Sequence, residues 1–216
     1  MIHEIGKSNS VLNHFINEIR NVNVQNDAMR FRKNMERISE ILAYEMSKNL
    51  DYKPTSITTP LGVSESVECN NDLVIASILR AGLSMHEGVL NYFDKAQNAF
   101  ISAYREESDH DSEVKVIVEY LASPSIEGKT LVLVDPMLAT GTSMILTLEA
   151  LKAKGNYSKL HIISAIASQA AVDRLMVELP AGTEMWIAAI DPELNDKSYI
   201  IPGLGDAGDL AYGEKS

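Results

Sequence analysis

The apolar positions of this chain change period along its length, and the changes mark out its elements. Phe31, Met35, Ile38, Leu42 and Met46 recur at steps of three and four, one face of a helix, within a first fifty residues that read as helical. Pro54 and Pro60 then interrupt the chain. Beyond them, short apolar runs alternate with helical patterns: strand 73–79, helix 83–93, strand 99–104, strand 130–134, helix 143–154, strand 160–167, helix 170–179 and strand 185–190. An unbroken run such as Leu131-Val132-Leu133-Val134 suits a parallel strand covered on both faces. After Arg105, the polar stretch from Glu106 to Asp111 reads as a solvated loop, and residues 113–120 alternate like a half-exposed strand of a hairpin or flap. Repeated strand–helix alternation predicts a mainly parallel α/β sheet flanked by helices. From Asp191 on, Pro192, Pro202, Gly203, Gly205, Gly208 and Gly213 predict loop. No repeat or linker divides the chain, so residues 1–216 read as a single domain.

Composition narrows the function classes. A formal net charge of −11 argues against coating nucleic acid or an anionic membrane, though a negatively charged substrate would still need local basic spots. The lone cysteine, Cys69, excludes an internal disulfide and fits a reducing, cytoplasmic setting. There is no secretory signal pattern at the start and no apolar run of about 18 residues to span a bilayer. The sequon at Asn156 is therefore read as incidental. The five histidines form no HxxxH or HExxH pattern, so no protein-held metal is expected from them. No GxSxG elbow supports hydrolase chemistry.

The chemistry concentrates at 130–155. A buried strand ends on Asp135 and Pro136; Thr140, Gly141, Thr142 and Ser143 make a short loop; a helix comes next and stops near Gly155. Gly141 admits close backbone approach. The helix start offers unpaired N–H groups and the positive end of its dipole, and the hydroxyls add donors. A phosphate would sit there, with Asp135 toward sugar hydroxyls or a phosphate-bound metal. The same residues could merely cap a helix, and the Walker pattern GxxxxGK[ST] is absent. Two more strand ends carry arginines, Arg80 in ILRAG and Arg105 in YREE, each able to present a planar fork to phosphate or to join a surface ion pair. In parallel sheets, ligands bind beyond the carboxyl ends of strands. The glycine-rich segment 199–209 exposes backbone groups that could read a flat ring, and Asp206 and Asp209 could approach a metal or sugar.

ILRAG at 78–82, YRE at 104–106, VDPMLATGTS at 134–143 and YIIPGLGDAGD at 199–209, with Phe31-Arg32 and Tyr44-Glu45 before them, resemble the signature segments of uracil phosphoribosyltransferases, in order and across nearly the whole chain. The resemblance implies a type I phosphoribosyltransferase α/β core with a flap or hood over the base and an N-terminal helical region. It implies transfer of ribose 5-phosphate from phosphoribosyl pyrophosphate to N1 of uracil, giving UMP and pyrophosphate in pyrimidine salvage. Mg²⁺ would arrive with the donor, and a homo-oligomer is expected. By the same resemblance Arg80 and Arg105 hold the pyrophosphate side. Asp135, Pro136, Met137, Leu138, Ala139, Thr140, Gly141, Thr142 and Ser143 hold the ribose and its 5-phosphate. Ile200, Gly205, Asp206 and Ala207 meet uracil, with Asp206 also near the phosphoribosyl donor; apart from the resemblance, Asp206 is the candidate for a general base. Arg105, Asp135 and Asp206 are thus the expected catalytic residues. Thr142 stands where the family's loop usually has glycine, Leu210 where it usually has arginine, and Ser84 and His86 depart from the family's helix after LRAG. Two other readings stay open: a regulator that reuses the fold to bind nucleotide or RNA with little catalysis, and a transferase for another nucleobase.

Overall fold

The computed structural model describes residues 1–106 and 115–214, with side chains described outside 103–119. The chain enters through a short strand, β1 (Ile2–Glu4), and two helices, α1 (Val11–Arg20) and α2 (Ala28–Ser47). Ser10 and Asn13 close a capping box at the start of α1, and the Asp27 carboxylate accepts from Arg30 N–H at the start of α2. A hairpin comes next, β2 (Tyr52–Thr59) and β3 (Gly62–Cys69), standing as its own two-stranded sheet. The central part runs β4 (Leu73–Leu79), α3 (Leu83–Tyr92), β5 (Gln97–Glu106), β6 (Lys115–Ala122), β7 (Thr130–Val134), β8 (Met137–Leu138), α4 (Thr142–Leu151), β9 (Lys159–Ser168), α5 (Gln169–Glu178) and β10 (Glu184–Asp191). The tail adds β11 (Glu193–Leu194), β12 (Ile200–Ile201) and α6 (Ala207–Tyr212).

The main sheet has the order β1-β10-β9-β7-β4-β5-β6, with β8 also paired to β9. Its pairs are parallel except β5 with β6. Side chains alternate across a strand, so each buried strand feeds two cores. Ile75, Val132, Val134 and Ile163 pack with Phe31, Met35, Ile38 and Leu42 of α2, while Val74, Ala76, Leu131 and Leu133 pack with Met144 and Leu148 of α4 and with Leu175 of α5. The sheet is therefore covered on both faces, the mainly parallel α/β arrangement that the alternation predicted. Parallel strands carry all their carboxyl ends to one edge, which assembles Leu79, Val134 and Ser168 there.

Two expectations need correction, and one element went unpredicted. The first fifty residues are not all helical: β1 adds an edge strand, in register Ile2 to Met185, with the His3 ring stacked 3.8 Å from that of Trp186. The hairpin 52–69 lacks a sequence signal because both its faces are exposed and Pro54 sits within it, so no side of it repeats apolar residues for burial. The tail is not all loop: Asp206 caps α6 by accepting from Asp209 N–H at 2.9 Å. Residues 107–114, most of the expected polar loop, lie outside the described residues.

Candidate functional site

The turn from β7 to α4 is held by its own backbone. Asp135 N–H donates to Ile163 O (3.2 Å), and Ile166 N–H donates to Pro136 O (3.0 Å). Met137 and Leu138 then run beside Ile166 and Ala167. Ser168 Oγ donates to Ala139 O at 2.6 Å while accepting from Ala171 N–H at 2.9 Å, so one hydroxyl fixes the loop and caps α5. Gly141 enters α4 with φ of 74°, and a Cβ there would lie 3.0 Å from Leu175 Cγ, so both conformation and space call for glycine. Asp135 and residues 137–144 line a shallow cavity of about 40 Å³. The first turn of α4 belongs to this lining, and a helix start leaves N–H groups without intrahelical partners; that of Thr142 donates to Thr140 Oγ1 at 3.4 Å.

Asp135 is the most perturbed acid of this turn. It keeps some accessible surface, yet the protein packed around it desolvates the carboxyl and pushes it up to about 7, against the opposing pull of Met137 N–H. The group stands at the boundary between its two protonation states near neutral pH, and perturbed acids of this kind cluster at functional sites. A hydroxyl donor or cation beside it would favour the carboxylate.

Two further segments join this edge. Between β4 and α3 the chain turns at Arg80, Ala81 and Gly82, with the Leu79–Arg80 peptide cis. A Cβ on Gly82 would lie 3.0 Å from Val134 O, which places this turn against the strand end that carries Asp135. A Cβ on Gly208 would lie 3.7 Å from Arg80 Nη2 and 4.0 Å from Ala81 Cβ, so the tail closes on the same turn. Arg80 donates to Asp209 Oδ1 and to Gly213 O, each at 3.0 Å. Of the two roles open to this arginine, the ion pair is the one seen here. Tail residues Gly203 and Leu204 are anchored from far upstream: Arg20 forks onto Asp191 (2.8 Å to each oxygen) and donates to Gly203 O, and Gln25 donates to Leu204 O. Ile200 and Ala207 are buried, Asp206 is half-buried, and Gly205 is exposed. The Arg105 backbone belongs to β5, but its side chain lies outside the described residues.

Sequence reasoning missed several groups. Arg174 on α5 donates to Thr142 Oγ1 at 2.8 Å and to Thr140 O at 3.2 Å. Arg20 is more remote still in sequence from Asp191 and Gly203, which it holds, and no local pattern announces it; Asp209, read from the sequence as an approach to a metal or sugar, instead pairs with Arg80. His86, one of the departures from the family's usual helix, is a buried bridge: Ser77 Oγ lies 2.6 Å from its Nδ1 and Asn98 Oδ1 2.8 Å from its Nε2. Burial holds its basicity below the usual range, so the neutral ring donates from Nε2 and accepts at Nδ1. It ties α3 to β4 and β5 behind the Arg80 turn. A larger cleft of about 560 Å³ lies at the opposite edge, beside Leu73, Gln97 and Lys129. Its lysines are matched by Glu68, Asp72 and Asp94, and it lacks a glycine turn, so the smaller cavity is the better candidate.

A covered, mainly parallel sheet with a small polar turn, an arginine turn and a glycine-rich tail at its carboxyl edge is the arrangement that the resemblance implies, that of a type I phosphoribosyltransferase. The fold agrees: a hypoxanthine phosphoribosyltransferase from Staphylococcus aureus superposes with a TM-score of 0.50 over 76% of each chain at 18% identity, a likeness of fold alone. The chain belongs to the uracil phosphoribosyltransferase family, whose sequence pattern matches residues 7–214. A uracil phosphoribosyltransferase of Porphyromonas gingivalis is 53% identical over 211 residues, 98% of this chain and 97% of that one. One from Methanothermobacter thermautotrophicus is 38% identical over 192 residues, 88% and 86% of the two chains. The solved AQ2163 protein of Aquifex aeolicus superposes with a TM-score of 0.86 at 31% identity, covering 99% of this chain and 98% of its own.

Proposed function

We propose that this protein transfers ribose 5-phosphate from phosphoribosyl pyrophosphate to N1 of uracil, yielding UMP and pyrophosphate for pyrimidine salvage. The observation that carries the reading is the turn from Asp135 to Ser143, an anion cradle at the carboxyl edge of the sheet, with the Arg80 turn and the tail packed against it. The cradle takes the 5-phosphate on backbone N–H groups and hydroxyls, and the Asp135 carboxylate accepts from ribose hydroxyls. On the family resemblance, Arg80 and Arg105 would hold the pyrophosphate. Uracil lies against the backbone from Ile200 to Ala207.

The bond that breaks joins the anomeric carbon to a pyrophosphate oxygen; the bond that forms joins that carbon to N1, which gives up its proton. Positive charge grows on the sugar and negative charge on the leaving group, so arginines aimed at pyrophosphate stabilise the transition state. Arg80 must leave Asp209 and Gly213 to do this, which links the leaving-group side to the tail. Mg²⁺ is read as part of the donor substrate, screening its phosphate oxygens. Among the described residues no three or more of His, Cys, Asp and Glu stand together as a metal site, so the ion would keep water and donor oxygens as its main ligands.

A homo-oligomer is part of the proposal. The β2–β3 hairpin exposes Ile57, Leu61, Val63 and Val67, and an isolated hairpin is at best marginally stable in water without a surface to cover it. A cytoplasmic setting is proposed on the single thiol; among the described residues no helix is long and apolar enough to cross a membrane. Incubating the protein with phosphoribosyl pyrophosphate, Mg²⁺ and a panel of nucleobases, with product identification, tests the reading: UMP is expected from uracil. A purine nucleotide would move it to another base, and no nucleotide from any base would leave a regulator. Arg105→Ala should lower kcat/KM by about a hundredfold or more, in the range of removing one charged transition-state contact, with the melting temperature unchanged.

A further inference from the structure

Arg174 lies outside every segment that points to the reaction, yet it reaches the cradle. It sits on α5, one residue before the Leu175 side chain that packs against Gly141. Its Nε donates to Glu178 Oε1 at 2.7 Å, which fixes the guanidinium plane. Its Nη1 donates to Thr142 Oγ1 at 2.8 Å and to Thr140 O at 3.2 Å, so it holds both ends of the turn that contains Gly141. Thr140 Oγ1 also donates to Thr142 Oγ1, at 3.0 Å.

A hydroxyl has two lone pairs and one proton. With Arg174 and Thr140 both donating to Thr142 Oγ1, its lone pairs are occupied, and what it has left to offer is its own O–H. Thr142 is the first residue of α4, in the cavity lining, so that O–H is available to an anion at the helix start. A full positive charge on the far side of the oxygen makes it a stronger donor. The tie also selects one rotamer of a β-branched side chain, so the hydroxyl is ordered before the ligand arrives.

We propose that Arg174 is a positioning residue of this site: through Thr142 it sets an extra hydrogen-bond donor for the 5-phosphate of the sugar ligand, and so raises preference for phosphorylated over unphosphorylated nucleoside. The proposal rests on the cradle being the sugar-phosphate site of the transferase reading. Its substrate class is any ribose 5-phosphate ester that fits the cradle, donor and product nucleotide alike.

Calorimetric titration of the whole protein with UMP and with uridine, on wild type, Arg174→Ala, Arg174→Lys, Thr142→Ala and the double alanine variant, tests it. Arg174→Ala should weaken UMP about tenfold, as for loss of one hydrogen bond to a charged partner, and leave uridine unchanged. Arg174→Lys should restore part of the loss, because an ammonium can still donate to Thr142. The double variant should bind UMP no more weakly than the worse single one, since both remove the same donor. In turnover, Arg174→Ala should raise KM for the pyrophosphate donor and leave kcat within about twofold, the pattern of uniform binding loss. Equal weakening of UMP and uridine would reduce Arg174 to scaffold. Additive losses in the double variant would mean that it meets the phosphate without Thr142. Either outcome overturns the proposal, and the lysine and threonine variants still decide it if Arg174→Ala fails to fold. Failure of the wild type to bind UMP at all would instead strike the transferase reading on which the proposal stands.

Discussion

The cradle and the tail face one another across the Arg80 turn and are built by opposite means. The cradle is a continuation of the sheet: main-chain bonds to Ile163 and Ile166 set its course, and the side chains that matter to its shape are few. The tail owes little to regular structure. Its two strands are two residues each and its helix six, and side chains from the first two helices and the turn between them hold it. Arg20 and Gln25 grip Gly203 and Leu204, while Arg32 Nη1 donates to Ala211 O at 2.6 Å. A wall made of backbone tolerates substitution nearly everywhere but fails at its glycine. A wall hung on side chains can be detached from a distance.

The sharpest way to break the contrast is at Arg20. Its pair with Asp191 is mostly buried, the two side chains being 19% and 7% exposed, and removing one partner strands the other charge. Arg20→Ala should cost about 3 kcal/mol of stability, toward the lower end of buried-pair losses, measured by urea denaturation. It should also raise KM for uracil far more than KM for the donor; equal rises would show that the tail is not a separate unit. Gly141→Ala comes next. A left-handed backbone carrying a Cβ costs about 1–2 kcal/mol, and Leu175 must also yield. Donor binding should fall while uracil binding to any residual complex holds, read by titration of each ligand.

Asp135 sharpens the comparison through pH. Its folded value of about 7 lies above the ordinary 3.8, so folding takes up a proton between those values. This group's share of stability is fullest at low pH and is lost as pH rises from about 4 toward 7. Ligand binding that needs the carboxylate runs the other way: donor affinity should strengthen with rising pH up to about 7 and then level, by at most about tenfold per unit. Asp135→Asn should flatten that arm, and an unchanged slope would remove Asp135 from donor binding. The smallest effect is expected at Asp209. Its pair with Arg80 is more than a third exposed on both sides, so Asp209→Asn should change stability by less than about 1 kcal/mol. It should still strengthen inhibition by pyrophosphate, since Arg80 no longer has to be drawn from a carboxylate; weaker inhibition would mean that Asp209 aids the arginine.

Sheet and cradle were legible because both are local. Strands 73–79 and 130–134 are buried on both faces, leave nearly continuous apolar runs, and fall on the observed bounds of β4 and β7. Asp135, Gly141 and the surrounding hydroxyls lie close together in the chain. The hairpin escaped because exposure on both faces erases periodicity, and α6 because glycine and a six-residue length give propensity nothing to show. Arg174, Arg20 and the Arg80 partner of Asp209 escaped for another reason. Each acts on a partner outside its own local pattern, and a charged residue on a helix carries the same local signal whether it faces water or a loop thirty residues away.

Ser168 gives the molecule one more property. A single oxygen both starts α5 and grips the Ala139 carbonyl, so fraying of that helix end and loosening of the anion loop are one opening event. Amide exchange at Ala171 should therefore slow when a phosphate ester is bound, although the ester touches nothing on that helix. Protection there would report occupancy of the loop from behind it.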